Sequence, residues 1–449
     1  MQRMTIVAIA TMLGTAPAFA QSSGPAGSGT APLPAKPVAA APAAGANPAH
    51  VIPAKPATAA STPESRSAAA LALSHEPTYD DGTAQRIKEA ALSYSDLAVR
   101  GGWPTIPTDA KFALGVPGPH DDLLRRRLLI SGDLAPDKAS GPYDDVVAEA
   151  VKSFQARHAL AATGTVTPRT LTALNVPVQK RIKQLEASLE RVGNMNFAFG
   201  QRYVVVNIPA AFAEAVENDM VVRRYRVIVG KTEKPSPTLT AEITSVNLNP
   251  TWTVPSSIAK TEISAHMRKD PGYLSRMHMD VLDAHDAPID PQSVDWSGAR
   301  TPNFTVRQQS GTWNALGAVK IDMPNPYSVY MHDTNQRNLF SDDYRFDSHG
   351  CSRVDNVRDL AAWLLKDMPQ WSRASIDAAI ATGQRQDIHL PKKVPVAWIY
   401  LTAWMTKDQT VQFRNDIYDQ DEQLLEATAE EAAFFSQAGA HPLTAHLAQ

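Results

Sequence analysis

One cysteine, Cys351, occurs in the 449 residues of this chain, within the run Asp347-Ser348-His349-Gly350-Cys351-Ser352-Arg353-Val354. Lacking a second thiol, it forms no intramolecular disulfide, which leaves an inert apolar residue or a nucleophile. A thiol attacks as its thiolate, and free cysteine titrates at about pH 8.5, so at neutral pH it needs a base or a cationic setting. His332, 19 positions upstream in Tyr330-Met331-His332-Asp333-Thr334, is the candidate base. His349 is a second candidate, although its place beside Gly350 suits it better to orienting the loop. Gly350 lets backbone amides come close to a substrate, as an oxyanion site requires. Arg353 carries a planar fork that fits a terminal carboxylate, or alternatively an ion pair with Asp347 or Asp355. A zinc site from His332, His349 and Cys351 has an unusual His-x-Cys spacing and no evident fourth ligand. No metal or other cofactor is therefore expected.

These side chains need rigid elements beneath them. The stretch Tyr327 to His332 reads as a strand with Ser328, Tyr330 and His332 on one face. A helix is expected from near Asp355, with Val357, Leu360, Ala361 and Leu364 facing the core. Starting directly after the cysteine, its dipole would favour a thiolate by about 0.3–1 kcal/mol. Further strands are expected at Tyr203 to Ile208, Tyr225 to Gly230, Ile243 to Asn249, Val319 to Ile321, Val396 to Met405 and Thr410 to Arg414. From Pro255 to about Gln308 the pattern is irregular, which fits either a functional lid or a flexible insertion.

The first half of the chain has a helical period. Arg86 to Val99 reads as a helix broken by Gly101-Gly102-Trp103-Pro104. Val147, Ala150, Val151 and Phe154 form one stripe, and Thr167-Pro168 opens a further helix. Val178, Ile182, Leu185, Leu189 and Val192 mark an amphipathic strut that stops at Gly193. Before these, residues 21–78 are rich in Ala and Pro and read as a disordered linker. Residues 1–20 read as a cleavable export signal with Arg3, an apolar run from Ile6 to Leu13, and Ala18-Phe19-Ala20. That run falls short of the roughly 20 residues needed to span a bilayer. No membrane span is expected in the mature chain. A net charge of −3 and a pI near 6.5 argue against a nucleic-acid partner.

Ser-His-Gly-Cys with Arg two residues later, and a His 19 positions before the Cys, resembles the signature of the L,D-transpeptidases. Weaker matches to that family lie at Asn207-Ile208-Pro209, Val229-Gly230-Lys231, Asn249-Pro250-Thr251-Trp252 with Val254-Pro255, Asn314-Ala315-Leu316-Gly317, and Tyr400 to Ala403. Gly132-Asp133-Leu134, Tyr143, Phe154-Gln155 and Gly164-Thr165-Val166 with Thr170 and Leu174 resemble a three-helix peptidoglycan-binding module, or a packing module of the same shape that binds nothing. Together they are similar to the large, scaffold-bearing branch of the family. The chain departs from it at Ser352, where an apolar residue is usual, and at Ser310-Gly311, where Pro-Gly is common.

The resemblance implies a multidomain α+β protein: a mainly-β catalytic domain with a capping insertion, and a three-helix module on a helical scaffold. The implied boundaries are scaffold at 79–120 and 178–197, module at 121–177, catalytic domain at 198–420 with its cap at 256–308, and a C-terminal tail at 421–449. It implies that Cys351 attacks a tetrapeptide stem, releasing D-alanine, and that a diamino-acid amine resolves the thioester into a 3→3 cross-link. His332 would act as general acid/base, with amides around Gly350 and Cys351 holding the oxyanion. Tyr330, Asn314 and Trp252 would join Arg353 in contacting substrate. The partners would be stem peptides and glycan strands, in the periplasm and at the cell wall. Water as acceptor would make it a carboxypeptidase or endopeptidase, and an inactive catalytic domain would leave a wall-binding anchor.

Overall fold

The computed structural model describes residues 75–297 and 303–437, with side chains as far as 430. The expected export signal and residues 21–74 of the expected linker lie outside the described residues. The last four residues of that linker are fixed in place. Thr78 is buried, and its N–H and hydroxyl both donate to the Glu214 carboxylate, at 2.7 and 2.8 Å. Val221 N–H donates to the His75 carbonyl at 2.7 Å. Order therefore begins before Tyr79, because a buried carboxylate needs these donors.

The helical part contains α1 (Thr83–Val99), α2 (Asp121–Ile130), α3 (Asp145–Arg157), α4 (Pro168–Leu174) and α5 (Val178–Gly193). Asp144 caps α3 through the Val147 N–H, and Thr167 caps α4 through the Thr170 N–H, with Pro168 in the first turn. α2, α3 and α4 enclose Leu124, Leu128, Val147, Phe154 and Leu174. The polar residues of the module motif serve this small core. Gln155 accepts from the Thr163 and Gly164 N–H groups and donates to Thr165 O, while Asp133 pairs with Arg157.

The β-rich part comprises β1 (Arg202–Asn207), β2 (Phe212–Glu217), β3 (Met220–Gly230), β4 (Leu239–Leu248), β5 (Trp252–Thr253), β6 (Met279–Leu282), β7 (Thr305–Gln308), β8 (Val319–Asp322), β9 (Met331–His332), β10 (Phe346–Ser348), β11 (Ser352–Val354), β12 (Gln386–Ile399), β13 (Ala403–Met405) and β14 (Val411–Phe413). The main sheet runs β10-β3-β11-β9-β8-β4-β12-β1-β2. β3 pairs with β2 through its first half and with β11 and β10 through its second, so the sheet closes on itself. Strand alternation divides the apolar residues between two cores. Val204, Val206, Val396 and Trp398 face α6 (Val357–Leu364) and α7 (Arg373–Ala381). Tyr203, Val205, Ala397 and Ile399 face the other way, onto Ile87 of α1 and Leu185 of α5. Leu360 is fully buried in the first core, so its truncation to Ala would cost about 2–5 kcal/mol.

Several local expectations change. β2 did not show in the sequence because Ala213 and Ala215 fill its core-facing positions, and alanine has little strand preference. The expected strand from Tyr327 shortens to β9, since Ser328 has φ +55° and breaks the extended run. The expected tail is joined to the fold: α8 (Gln420–Gln437) begins with a buried Asp421 that receives Arg191 at 2.5 Å and Thr402 at 2.7 Å.

The insertion after β5 has a small core of its own. β5, β7 and β6 make a three-stranded sheet, and helical turns from Ser256 to Arg276 cover it around Ile263, Met267, Leu274 and Val306. Residues 298–302 lie outside the described residues. Ala259–Ile263 forms a five-residue π-helix, a conformation frequent at functional sites.

Candidate active site

β9 lies between β8 and β11 in the closed sheet, and the register of this trio decides which side chains meet. His332 pairs with Lys320 of β8 and with Arg353 of β11. All three therefore project from one face, while Met331, Ile321 and Val354 enter the core on the other. Ser352 is level with Met331, so Cys351 is level with Tyr330, one strand across and two residues along from His332. Strand spacings put those two Cα atoms about 8 Å apart, within reach of an imidazole and a thiol.

Electrostatics draw the group together further. Burial pushes the Cys351 thiol up to about 11, opposed by the Tyr330 N–H directed at the sulfur and by Lys320 and Arg353. Burial brings His332 down to about 3, with Arg353 and Lys320 lowering it further and the bond to Asp333 opposing. The same two cations act on both residues. Burial of opposite effect on a base and an acid leaves a neutral imidazole beside a protonated thiol at neutral pH. His332 Nδ1 lies 2.5 Å from the Asp333 carbonyl, which fixes Nδ1 as the donor and leaves Nε2 with its lone pair.

The loop before Cys351 is held by hydroxyls. Gly350 has φ +109°, in the region that favours glycine. Its N–H donates to Ser348 Oγ at 3.1 Å, and Ser348 Oγ donates to the Cys351 carbonyl at 2.5 Å. The Gly350 amide is therefore occupied, contrary to the oxyanion role expected of it. No hydrogen bond to the Cys351 N–H is found among the described residues. His349 Nε2 lies 2.6 Å from Glu262 Oε1, on the π-helical turn of the cap. It thus ties the loop to the roof, which extends the orienting role expected of it.

The helix dipole is a correction. β11 separates Cys351 from α6, and the left-handed Asn356 turns the chain before α6 begins at Val357. Since the dipole effect fades within a turn, the helix start does not act on the sulfur. Asn314 is a second correction: it is fully buried, donates to Gln309 O at 2.9 Å and Pro250 O at 3.2 Å, and accepts from Leu316 N–H at 2.8 Å. It braces the crossing from cap to sheet and is sealed from substrate.

Under the cap lies a cavity of about 270 Å³ lined by Trp252, Glu262, Tyr273, Trp313, Gln336 and Arg353, among others. Cys351 and His332 are not on its wall; Arg353 is, and so is the segment Thr334 to Gln336 that follows His332. Arg353 donates to Gln336 Oε1 at 2.9 Å and to the Asp347 carbonyl at 3.3 Å, while Asp355 pairs with Arg226. Its fork faces the cavity instead of forming either expected ion pair. Trp252 lines the cavity, and the half-buried Tyr330 sits edge-on to His332 with ring centroids 5.7 Å apart. Lys320 and Glu262 escaped the sequence reading. Period-2 alternation through Val319-Lys320-Ile321 could have placed Lys320 opposite the core, whereas no signal marks Glu262 within its irregular segment.

Residues 201–377 match the L,D-transpeptidase catalytic domain family, and residues 120–174 match a family described as "Putative peptidoglycan binding domain". A Haemophilus influenzae protein named "Putative L,D-transpeptidase" is 31% identical over 222 residues, 49% of this chain and 45% of that protein. The match thus spans about half the length of that curated relative. An L,D-transpeptidase from Mycobacterium smegmatis matches at 17% identity over 44% of this chain and 58% of its own, with a TM-score of 0.23. One from Stackebrandtia nassauensis matches at 13% identity over 66% and 97%, with a TM-score of 0.26. Every site residue named above lies inside the first matched segment.

Proposed function

For a chain that carries an L,D-transpeptidase catalytic domain behind a peptidoglycan-binding domain, we propose that it joins peptidoglycan stem peptides by acyl transfer through Cys351. The observation that carries this reading is the shared face of β8, β9 and β11, which groups a neutral imidazole, a thiol and two cations next to a roofed cavity. Cys351 Sγ attacks the carbonyl between the third and fourth residues of a tetrapeptide stem. His332 Nε2 takes the thiol proton as the C–S bond forms, because neither group ionises alone at neutral pH. The tetrahedral oxyanion is met by the Cys351 N–H. Loss of one such donor typically costs 10²–10³ in rate. As the C–N bond breaks, His332 returns the proton to the departing D-alanine, leaving a thioester. A diamino-acid side-chain amine then attacks the thioester and gives its proton to His332. Collapse expels the thiolate, which is reprotonated, and the product is a 3→3 cross-link.

Arg353, at the cavity wall, suits a stem carboxylate, and Trp252 lines the same cavity, with Tyr330 on the strand face next to His332. The apolar start of the chain and Ala18-Phe19-Ala20 support export to the periplasm, where stems are found. Purified protein incubated with tetrapeptide muropeptides should yield cross-linked dimers and free D-alanine by mass spectrometry, with Cys351→Ala yielding neither. Tripeptide products without dimers would assign water as the acceptor and end the transferase reading.

A further inference from the structure

The peptide group joining Gly350 to Cys351 is gripped from outside the motif. Its carbonyl accepts from Ser236 Oγ at 2.7 Å. A trans peptide is planar, with C=O and N–H directed oppositely, so fixing the carbonyl fixes the direction of the Cys351 N–H. Among the described residues that N–H has no hydrogen-bond partner. Ser236 is itself buried, and its hydroxyl also accepts from the Gly230 N–H at 2.9 Å. The turn that brings it there is too tight for a side chain at Gly230, where a Cβ would come within 2.3 Å of Lys234 O.

Ser236 is held in turn by the end of the domain. Tyr418 Oη donates to the Gly230 carbonyl at 2.5 Å and accepts from the Ser236 N–H at 3.3 Å. Tyr418 N–H donates to Tyr400 Oη at 2.8 Å, and Tyr400 Oη donates to Asp416 Oδ1 at 2.6 Å. Asp416 also accepts from the Gln420 N–H at the start of α8. A continuous set of bonds thus runs from the α8 terminus to the peptide before the nucleophile.

We propose that Ser236 and Tyr418 are positioning residues that aim the Cys351 N–H at the developing oxyanion, so that the segment leading into α8 tunes the transfer step. This rests on the acyl-transfer reading, and the test separates the two. Acylation of a carbonyl builds an oxyanion, whereas alkylation by iodoacetamide displaces iodide and builds none. Both rates are measured on the full-length protein, with a tetrapeptide donor and with iodoacetamide, alongside the melting temperature. Ser236→Ala and Tyr418→Phe should each lower the acylation rate about tenfold with KM unchanged, the scale of one well-placed hydrogen bond. Alkylation should stay within about twofold, and Ser236→Thr, which keeps the hydroxyl, should restore acylation. The variants cut different bonds, so a folding failure in one leaves the other decisive. Unchanged acylation, or alkylation falling in parallel, would overturn the proposal. Wild-type protein that alkylates at Cys351 without being acylated would defeat the transpeptidase reading before any variant is compared, and this inference with it.

Discussion

Two histidines in this molecule, the half-buried His158 and the buried His332, lie among cations that lower their pKa and differ in what surrounds the ring. His158, just past α3, bonds the Phe154 carbonyl through Nδ1 at 2.7 Å, and burial with Arg157, Arg181 and Arg127 holds its pKa well below the usual value. His332 bonds the Asp333 carbonyl through Nδ1, and burial with Arg353 and Lys320 does the same. The ring of His158 stacks against Phe154 and Phe413, centroids 3.9 and 5.5 Å away, at the seam where the three-helix module meets β14. His332 has Tyr330 edge-on at 5.7 Å and the thiol one residue before the next strand. A depressed pKa therefore marks burial among cations, and only the neighbours of the ring tell a catalytic base from a packing residue.

Replacing each histidine should split activity from stability. His332→Ala should lower acylation per folded molecule by about 10²–10⁴, the range for a lost general base. His158→Ala removes a half-buried ring stacked between two aromatic rings and should cost roughly 1–3 kcal/mol of stability, leaving the rate per folded molecule near wild type. Equal losses of rate in both variants, measured at a temperature where each is folded, would erase the distinction.

The pH dependence sharpens it next. A thiol at about 11 and an imidazole at about 3 predict that iodoacetamide alkylation of Cys351 rises about tenfold per pH unit between pH 7 and 10. A plateau through neutral pH would show a preformed thiolate–imidazolium pair. Stability runs the same way for both histidines. Each binds its proton in the unfolded chain near pH 6.5 but resists it when folded, so their contribution is complete above about 6.5 and is lost as pH falls. His158→Phe should remove part of that acid sensitivity, seen as a flatter melting temperature between pH 7 and 5, without altering the alkylation profile.

What the sequence disclosed follows the same division. Cys351 stood out as a candidate because it is the one thiol in the sequence, and His332 because, among twelve histidines, it closes an alternating run 19 residues before that thiol. The helices were legible because their apolar residues recur at helical spacing, as in Val147, Val151 and Phe154. The sheet around the site was less so. Three residues of β11 are too short a run to show, which made α6 look adjacent to the sulfur. Asn314 looked like a ligand because its polarity is visible in sequence, whereas the carbonyls that consume it are not. Ser236 and Tyr418 reach Gly350 across 114 residues of chain and through a Tyr–Gly contact, and no local pattern encodes such a bond. In the module, the motif residues Gln155, Asp133 and Thr170 all bond inward. They serve the module's own packing and identify its fold.

The weakest of the contacts at the site is the one between roof and loop. His349 and Glu262 are both partly open to solvent, with side chains 30% and 47% exposed, and such a pair is worth about 0–1 kcal/mol. Glu262→Gln keeps a hydrogen-bond acceptor and removes the charge, while Glu262→Ala removes both. Because Glu262 lines the cavity and also holds the loop one residue from Gly350, loosening it should change access before it changes chemistry. The expected result is a KM shift of about two- to fivefold for Glu262→Ala, a smaller one for Glu262→Gln, and kcat within about twofold of wild type. A fall in kcat matching that of His332→Ala would instead make the roof part of the chemical step, placing Glu262 with the base and not with the cap.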